Sequence, residues 1–183
     1  TTGTVTVTVE GVSVLTVGGG DEFGEPVPVE VPVDRSHEIV FVDPRVSDPD
    51  AFQAGGREAI MLTLDEDGLA QIAAALYGRT DIEAIHIISH GAEGTLTLGN
   101  GQVNAASMQT TQLQSLQAIG QSLTLNGDIL VYACDFAAGE MGLAAMSVLA
   151  DITVADVAAS LYTTGHETLG ADWSLEARVG TVE

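Results

Sequence analysis

The sequence predicts an α/β fold built on a mainly parallel sheet covered on both faces. Two observations carry this. Apolar strands recur from residue 38 onward, at 38–43, 58–65, 82–89, 128–134 and 153–160. Segments of helical character separate most of them, and that alternation is how a parallel sheet with helical crossovers is written in sequence.

Each element has a local reason. "EIVFVD" (38–43) is a continuous apolar run, and "DPDAFQAG" (48–55) reads as a short helix or turn closing on Gly55 and Gly56. "EAIMLTLD" (58–65) is the second strand. "DEDGLAQIAAALYG" (65–78) opens on acids and ends on glycine, as helices do, and places Leu69, Ile72, Ala73 and Leu76 on one face. "IEAIHIIS" (82–89) is the third strand. "TLTLGNGQVN" (95–104) carries "GNG" between alternating residues and reads as a hairpin. "ASMQTTQLQSLQAIGQSL" (106–123) reads as one helix, "DILVYAC" (128–134) as the fourth strand, and "AGEMGLAAMSVLADI" (138–152) as an Ala-rich helix. "TVADVAAS" (153–160) is the fifth strand, and residues 168–182 close the chain as a hairpin or final strand.

Residues 1–36 differ from the rest. "TVTVTVEGVSVLTV" alternates with period two, and "GGGDEFGEPVPVEVPVD" follows with glycine and then recurrent proline, which cannot donate to a ladder. We read 1–36 as a β-rich N-terminal segment with a Pro/Gly linker, and 37–183 as the α/β domain. The chain has no initiator Met or signal-like start, so it is expected to be an excised piece of a longer protein with further domains.

Composition narrows the partners. Twenty-six acidic residues face five basic ones, for a net charge of −21, and all five basic residues are arginine. Such a field repels nucleic acid and anionic membranes. No apolar run reaches the ~18–20 residues that span a bilayer, so no membrane insertion is expected. The "DEDG" of 65–68 lacks the spacing of a calcium loop and is better read as a helix start. No Cys/His spacing suits zinc, "GGG" at 18–20 is no phosphate loop, and no nucleophile elbow is present. No cofactor or metal is expected, apart from structural or activating calcium in keeping with the acidity.

The chemistry concentrates at two strand ends. "HIISHG" (86–91) ends the third strand on His90 and Gly91, and "DILVYACD" (128–135) ends the fourth on Cys134, the only cysteine. In parallel sheets, ligands bind outside the carboxyl ends of the strands. If these strands are neighbours, both side chains emerge on one edge. An imidazole beside a thiol makes it a nucleophile. The amides of Gly91 and Cys134 would then form an oxyanion hole. Ser160 ends the fifth strand on the same edge, where it would line the cleft or simply terminate the strand. His86 is expected to pack inside the fold, His166 to lie in a surface loop, and His37 carries no signal.

"IHIISHG" followed by "ILVYACD", with the histidine 44 residues before the cysteine, resembles the strand-end motifs of the caspase–gingipain–separase clan of cysteine peptidases. Residues 38–183 more closely resemble a bacterial domain family of unknown function found in very large repeat-bearing surface or secreted proteins. The matching segments are "EIVFVD", "IEAIHIISHGAEGTLTLGN", "DILVYACDFAAGE", "ADVAAS" and "GADWSLE". The clan resemblance implies a caspase-like three-layer α/β/α sandwich and a Cys134–His90 endopeptidase. Its substrate would be a polypeptide, its own chain among the candidates, outside the cell or on its surface. The alternative is a catalytically inactive structural or interaction domain of a bacterial adhesin. The gingipain- and clostripain-like relatives also imply an acidic pocket for a basic residue before the scissile bond. Asp135 is the first candidate for that pocket, with Asp128 and Asp156 weaker ones, and the simpler reading of Asp135 is a helix cap or a solvent-exposed residue. Such a pocket would make Arg35, where linker meets first strand, a self-cleavage point.

Overall fold

The computed structural model describes residues 5–9, 12–16, 29–30, 35–46, 57–165 and 172–182. It divides into two compact units, Thr1–Arg35 and Ser36–Glu183. In the first, strands β1 (Val5–Val9), β2 (Val12–Thr16) and β3 (Val29–Glu30) form an antiparallel sheet in that order.

The second unit is built on a six-stranded sheet. Its strands are β4 (Glu38–Val42), β5 (Glu58–Met61), β6 (Ile82–Ile88), β10 (Leu123–Tyr132), β11 (Asp156–Ala159) and β12 (Ala177–Val179), arranged β12-β11-β10-β6-β4-β5. Five strands run parallel, and β12 closes one edge antiparallel to β11. A separate three-stranded antiparallel sheet holds β7 (His90–Ala92), β8 (Thr95–Leu98) and β9 (Gly101–Asn104). The expected 95–104 hairpin is β8–β9. The added strand β7 begins on His90 itself.

The helices are α1 (Gly68–Ala75), α2 (Ala105–Met108), α3 (Leu113–Ser122) and α4 (Gly139–Thr153). Asp67 caps α1, its carboxylate accepting from the Ala70 amide at 3.0 Å. The single helix expected over 106–123 is two. The Thr110 hydroxyl turns back to the Ala106 carbonyl (2.7 Å), and backbone and side chain part company there.

One apolar core joins these helices to one face of the sheet. Ile39, Phe41, Ile85, Ile87, Ile129, Val131, Val157 and Ala159 point into it. So do Leu69 and Ile72 of α1 and its C-cap Leu76, Leu116 and Ile119 of α3, and Ala145, Met146 and Leu149 of α4. The alternation of a strand sends the intervening residues to the other face. There Val40, Val42 and Ile88 form a smaller cluster with Val46, Ala59 and Tyr132. All four described helices contribute to the first core, so a helical layer on the second face is not seen among the described residues. The helix or turn expected at 48–55 lies outside the described residues.

The second face carries a polar group as well. His86 is buried, as expected, and its Nε2 lies 3.2 Å from the Glu38 carboxylate, which also pairs with the Arg57 guanidinium. The His86 ring stacks on Tyr132 with centroids 5.9 Å apart, and Tyr132 meets Trp173 at 6.0 Å. Burial first, and the Glu38 charge second, raise the Tyr132 pKa above the ordinary 10.0. The unfolded chain therefore loses this proton at lower pH than the folded one. The stability that the neutral ring contributes is complete below pH about 10 and is lost as pH rises through the folded-state value. An ultraviolet titration is expected to show a late phenol step that Tyr132→Phe removes. Denaturation curves above pH about 10 should show a shallower loss of stability in that variant.

Candidate active site at the carboxyl edge of the sheet

β6 and β10 are parallel neighbours, with Ile87 beside Val131 and Ile88 beside Tyr132. His90 and Cys134 each follow that last pair by two residues, so both emerge at the carboxyl edge. The same edge is a switch point. β4 leads outward to β5, whereas β6 leads the other way to β10, and crevices open where the order reverses.

The two strand ends touch at Gly91. A Cβ built on it would stand 2.7 Å from the Cys134 carbonyl oxygen and 2.9 Å from the Ala133 side chain. Any larger residue would push the ends apart. Two more contacts fasten the β7–β9 sheet to the segment after β10. The Gly94 amide donates to the Phe136 carbonyl (3.0 Å), and the Glu93 carboxylate lies over Gly139 at the start of α4, where negative charge is favoured.

His90 is exposed, and its Nε2 lies 3.3 Å from the Arg45 carbonyl. A carbonyl only accepts, so Nε2 carries the proton and, in the neutral ring, Nδ1 keeps the lone pair. Cys134 is half-buried, and its thiol donates to the Thr164 carbonyl at 3.7 Å. The thiol proton is thus directed at the loop after β11. Asp135 takes a left-handed backbone, φ 56°; among the described residues only Val154 is the other non-glycine with positive φ. Its amide donates to the Tyr162 carbonyl (3.0 Å), which fixes the turn beside the thiol.

The remaining sequence candidates separate cleanly. The Asp135 carboxylate is exposed and caps nothing: the N-cap of α4 is Ala138, with no side-chain cap. Of the two simpler readings of Asp135, the helix cap is corrected and solvent exposure is what the structure has. Ser160 is buried, and its hydroxyl donates to the Tyr162 carbonyl (2.9 Å), bracing the loop from beneath. Asp128, in the middle of β10, stands beside Asp156, the first residue of β11, toward the amino side of the sheet, because strand direction carries both away from Cys134. They line no pocket at the thiol. A cavity of about 440 Å³ on that amino edge is lined by Glu38, Glu83, Asn126 and Asp128, remote from the strand-end pair. His37 pairs with Asp81 at 3.0 Å, and His166 lies outside the described residues. Among the described residues no group of three or more His, Cys, Asp or Glu is placed to hold a metal ion. No described helix is long and apolar enough to cross a membrane, which says nothing of strands.

Sequence reasoning missed Asp43 and Arg45. Asp43 was the last residue of a strand and nothing more. The available signal was its position, directly after an apolar strand on the edge where the other two ends emerge.

Gly91→Ala is expected to cost about 1–3 kcal/mol, because the methyl overlaps backbone that cannot swing away. Urea denaturation measures this, and unchanged stability would show that the strand ends are not in contact.

No curated protein matches the chain. A family model described as "Domain of unknown function (DUF4347)" matches residues 39–183, all of the second unit but its first residues. The matched span contains β5 to β12, all of β4 but Glu38, and both strand-end segments, and the chain belongs to the DUF4347 family.

Proposed function

We propose that the second unit is a cysteine-endopeptidase-like domain of a large bacterial surface or secreted protein, related to the caspase–gingipain–separase clan and its three-layer sandwich. The observation that carries the reading is the contact of the two strand ends. Parallel pairing of β6 with β10, and Gly91 packed on the Cys134 carbonyl, put an imidazole and the chain's single thiol on one edge at a switch point. The acidity of the chain suits a soluble extracellular module.

The chemistry follows from the tautomer. His90 Nδ1 takes the thiol proton, and the thiolate adds to a peptide carbonyl. The Gly91 and Cys134 amides receive the oxyanion. The intermediate collapses with cleavage of the C–N bond, and the imidazolium gives its proton to the leaving amine. Water, deprotonated by the same ring, then hydrolyses the thioester and restores the thiol. Before this the thiol must turn away from the Thr164 carbonyl. That same contact favours a second reading, a non-catalytic module of an adhesin that keeps the fold.

Strand direction bears on self-cleavage. The Arg35–Ser36 bond lies just before β4, at the amino edge, and β4 alone runs about 16 Å from there to the carboxyl edge. The bond is then suited to the site of a second molecule rather than its own.

An acyloxymethyl ketone carrying an arginyl peptide is expected to label Cys134. Cys134→Ala should abolish labelling, and His90→Ala should slow it on the order of 100-fold. A Cys134 that reacts no faster than free cysteine would establish the module reading instead. Mixing wild type with Cys134→Ala is expected to release residues 1–35 from the inactive partner, at a rate that rises with wild-type concentration. Intact mass reads this, and wild-type cleavage independent of concentration would place the cut in cis.

A further inference from the structure

Asp43 follows β4 and is completely buried. A buried carboxylate has to be paired and hydrogen-bonded to be tolerated, and this one is engaged on both oxygens. Oδ1 accepts from the Arg45 amide (3.0 Å) and from Arg45 Nη1 (3.1 Å). Oδ2 accepts from the same Nη1 (3.1 Å) and from the Gly99 amide (2.9 Å). Arg45 Nη2 then donates to the Gly99 carbonyl (2.8 Å). Asp43, Arg45 and Gly99 thus form a closed ring of charge-assisted bonds, the strong kind.

The ring has His90 on both sides of it. Arg45 supplies the carbonyl that accepts from His90 Nε2. Gly99 lies in the turn between β8 and β9, and β8 pairs Thr97 with His90. One carboxylate therefore fixes both the acceptor of the imidazole proton and the strand beside its backbone. The Asp43 amide is held in turn by the Ile88 carbonyl (2.9 Å), two residues before His90.

We infer that Asp43 is a positioning residue for His90: by clamping Arg45 and Gly99 it holds the Arg45 carbonyl on Nε2 and so aims Nδ1 for proton transfer. This rests on the Cys134–His90 reading proposed above. The inference has a sharp consequence, since the acceptor is a backbone atom. Substituting the Arg45 side chain keeps the acceptor carbonyl and the Arg45 amide bond to Asp43, and removes the guanidinium bonds that tie this turn to Asp43 and Gly99.

The test is the alkylation rate of Cys134 by iodoacetamide in the full chain, measured in a double-mutant cycle. Asp43→Asn and Arg45→Met are each expected to slow it about 10- to 100-fold, the cost of a misplacement near 1 Å. Placed on His90→Ala, neither should slow it further, because the group they position is gone. A general loosening of the site would slow both backgrounds alike, and that result overturns the inference. So do single variants that react at the wild-type rate while His90→Ala remains slow; the dyad reading then survives without the clamp. If His90→Ala itself reacts as wild type, the dyad falls and the clamp with it. Should Asp43→Asn fail to fold, Arg45→Met decides alone, since that side chain is about a third exposed.

Discussion

The parallel register of β6 against β10 is the constraint from which the rest of the site follows. Ile88 stands beside Tyr132, and each chain runs two residues further before His90 or Cys134. Strand side chains alternate between faces, so a slip of one residue would turn Ile85, Ile87, Ile129 and Val131 out of the core. Burial of those four side chains and their neighbours outweighs any local preference at the strand ends. The position of His90 relative to Cys134 is thus a by-product of core packing. Polar interactions at the edge have only to refine it.

That division of labour explains what the sequence revealed. β4, β6 and β10 were legible because β-branched and apolar runs of five or more residues leave a strong signal, and strand direction then assigned His90 and Cys134 to one edge. The three residues of β7 carry no pattern of their own; "HGA" becomes a strand only because β8 pairs with it. The break between α2 and α3 was hidden for a similar reason. Gln112 looks like a helix-surface residue, yet it is buried and its amide donates to Asp67 (2.6 Å), a partner 45 positions away. Asp128 and Asp156 were misjudged because strand direction was not applied to them: they pair with each other well before the carboxyl ends of β10 and β11.

Asp43 and Arg45 show the same limit from the other side. Their meaning depends on Gly99, which is 56 residues from Asp43 in the chain and within hydrogen-bond reach in space. A strand-terminal aspartate followed by Pro-Arg reads as an ordinary turn. Only the topology, in which β4 and β6 diverge to opposite sides, gives that turn a histidine to face. Two of the chain's five arginines, Arg45 and Arg57, are spent on Asp43 and Glu38, beside strands β4 and β6. In a protein this acidic, cations are scarce, and their placement marks where geometry is held most tightly.

The acidity also bears on what such a site would accept. A net charge of −21 draws basic polypeptides toward the surface and repels acidic ones before any pocket is reached. Asp135, exposed on a left-handed turn next to the thiol, adds a carboxylate at the place where the field would be read most locally. Its amide is tied to the Tyr162 carbonyl, and the Ser160 hydroxyl is tied to that same oxygen. The loop that runs on to Thr164, and there accepts the thiol proton, is therefore coupled to the turn that carries Asp135. In the peptidase reading, one short loop would therefore hold both the contact of the half-buried thiol and the turn that presents Asp135.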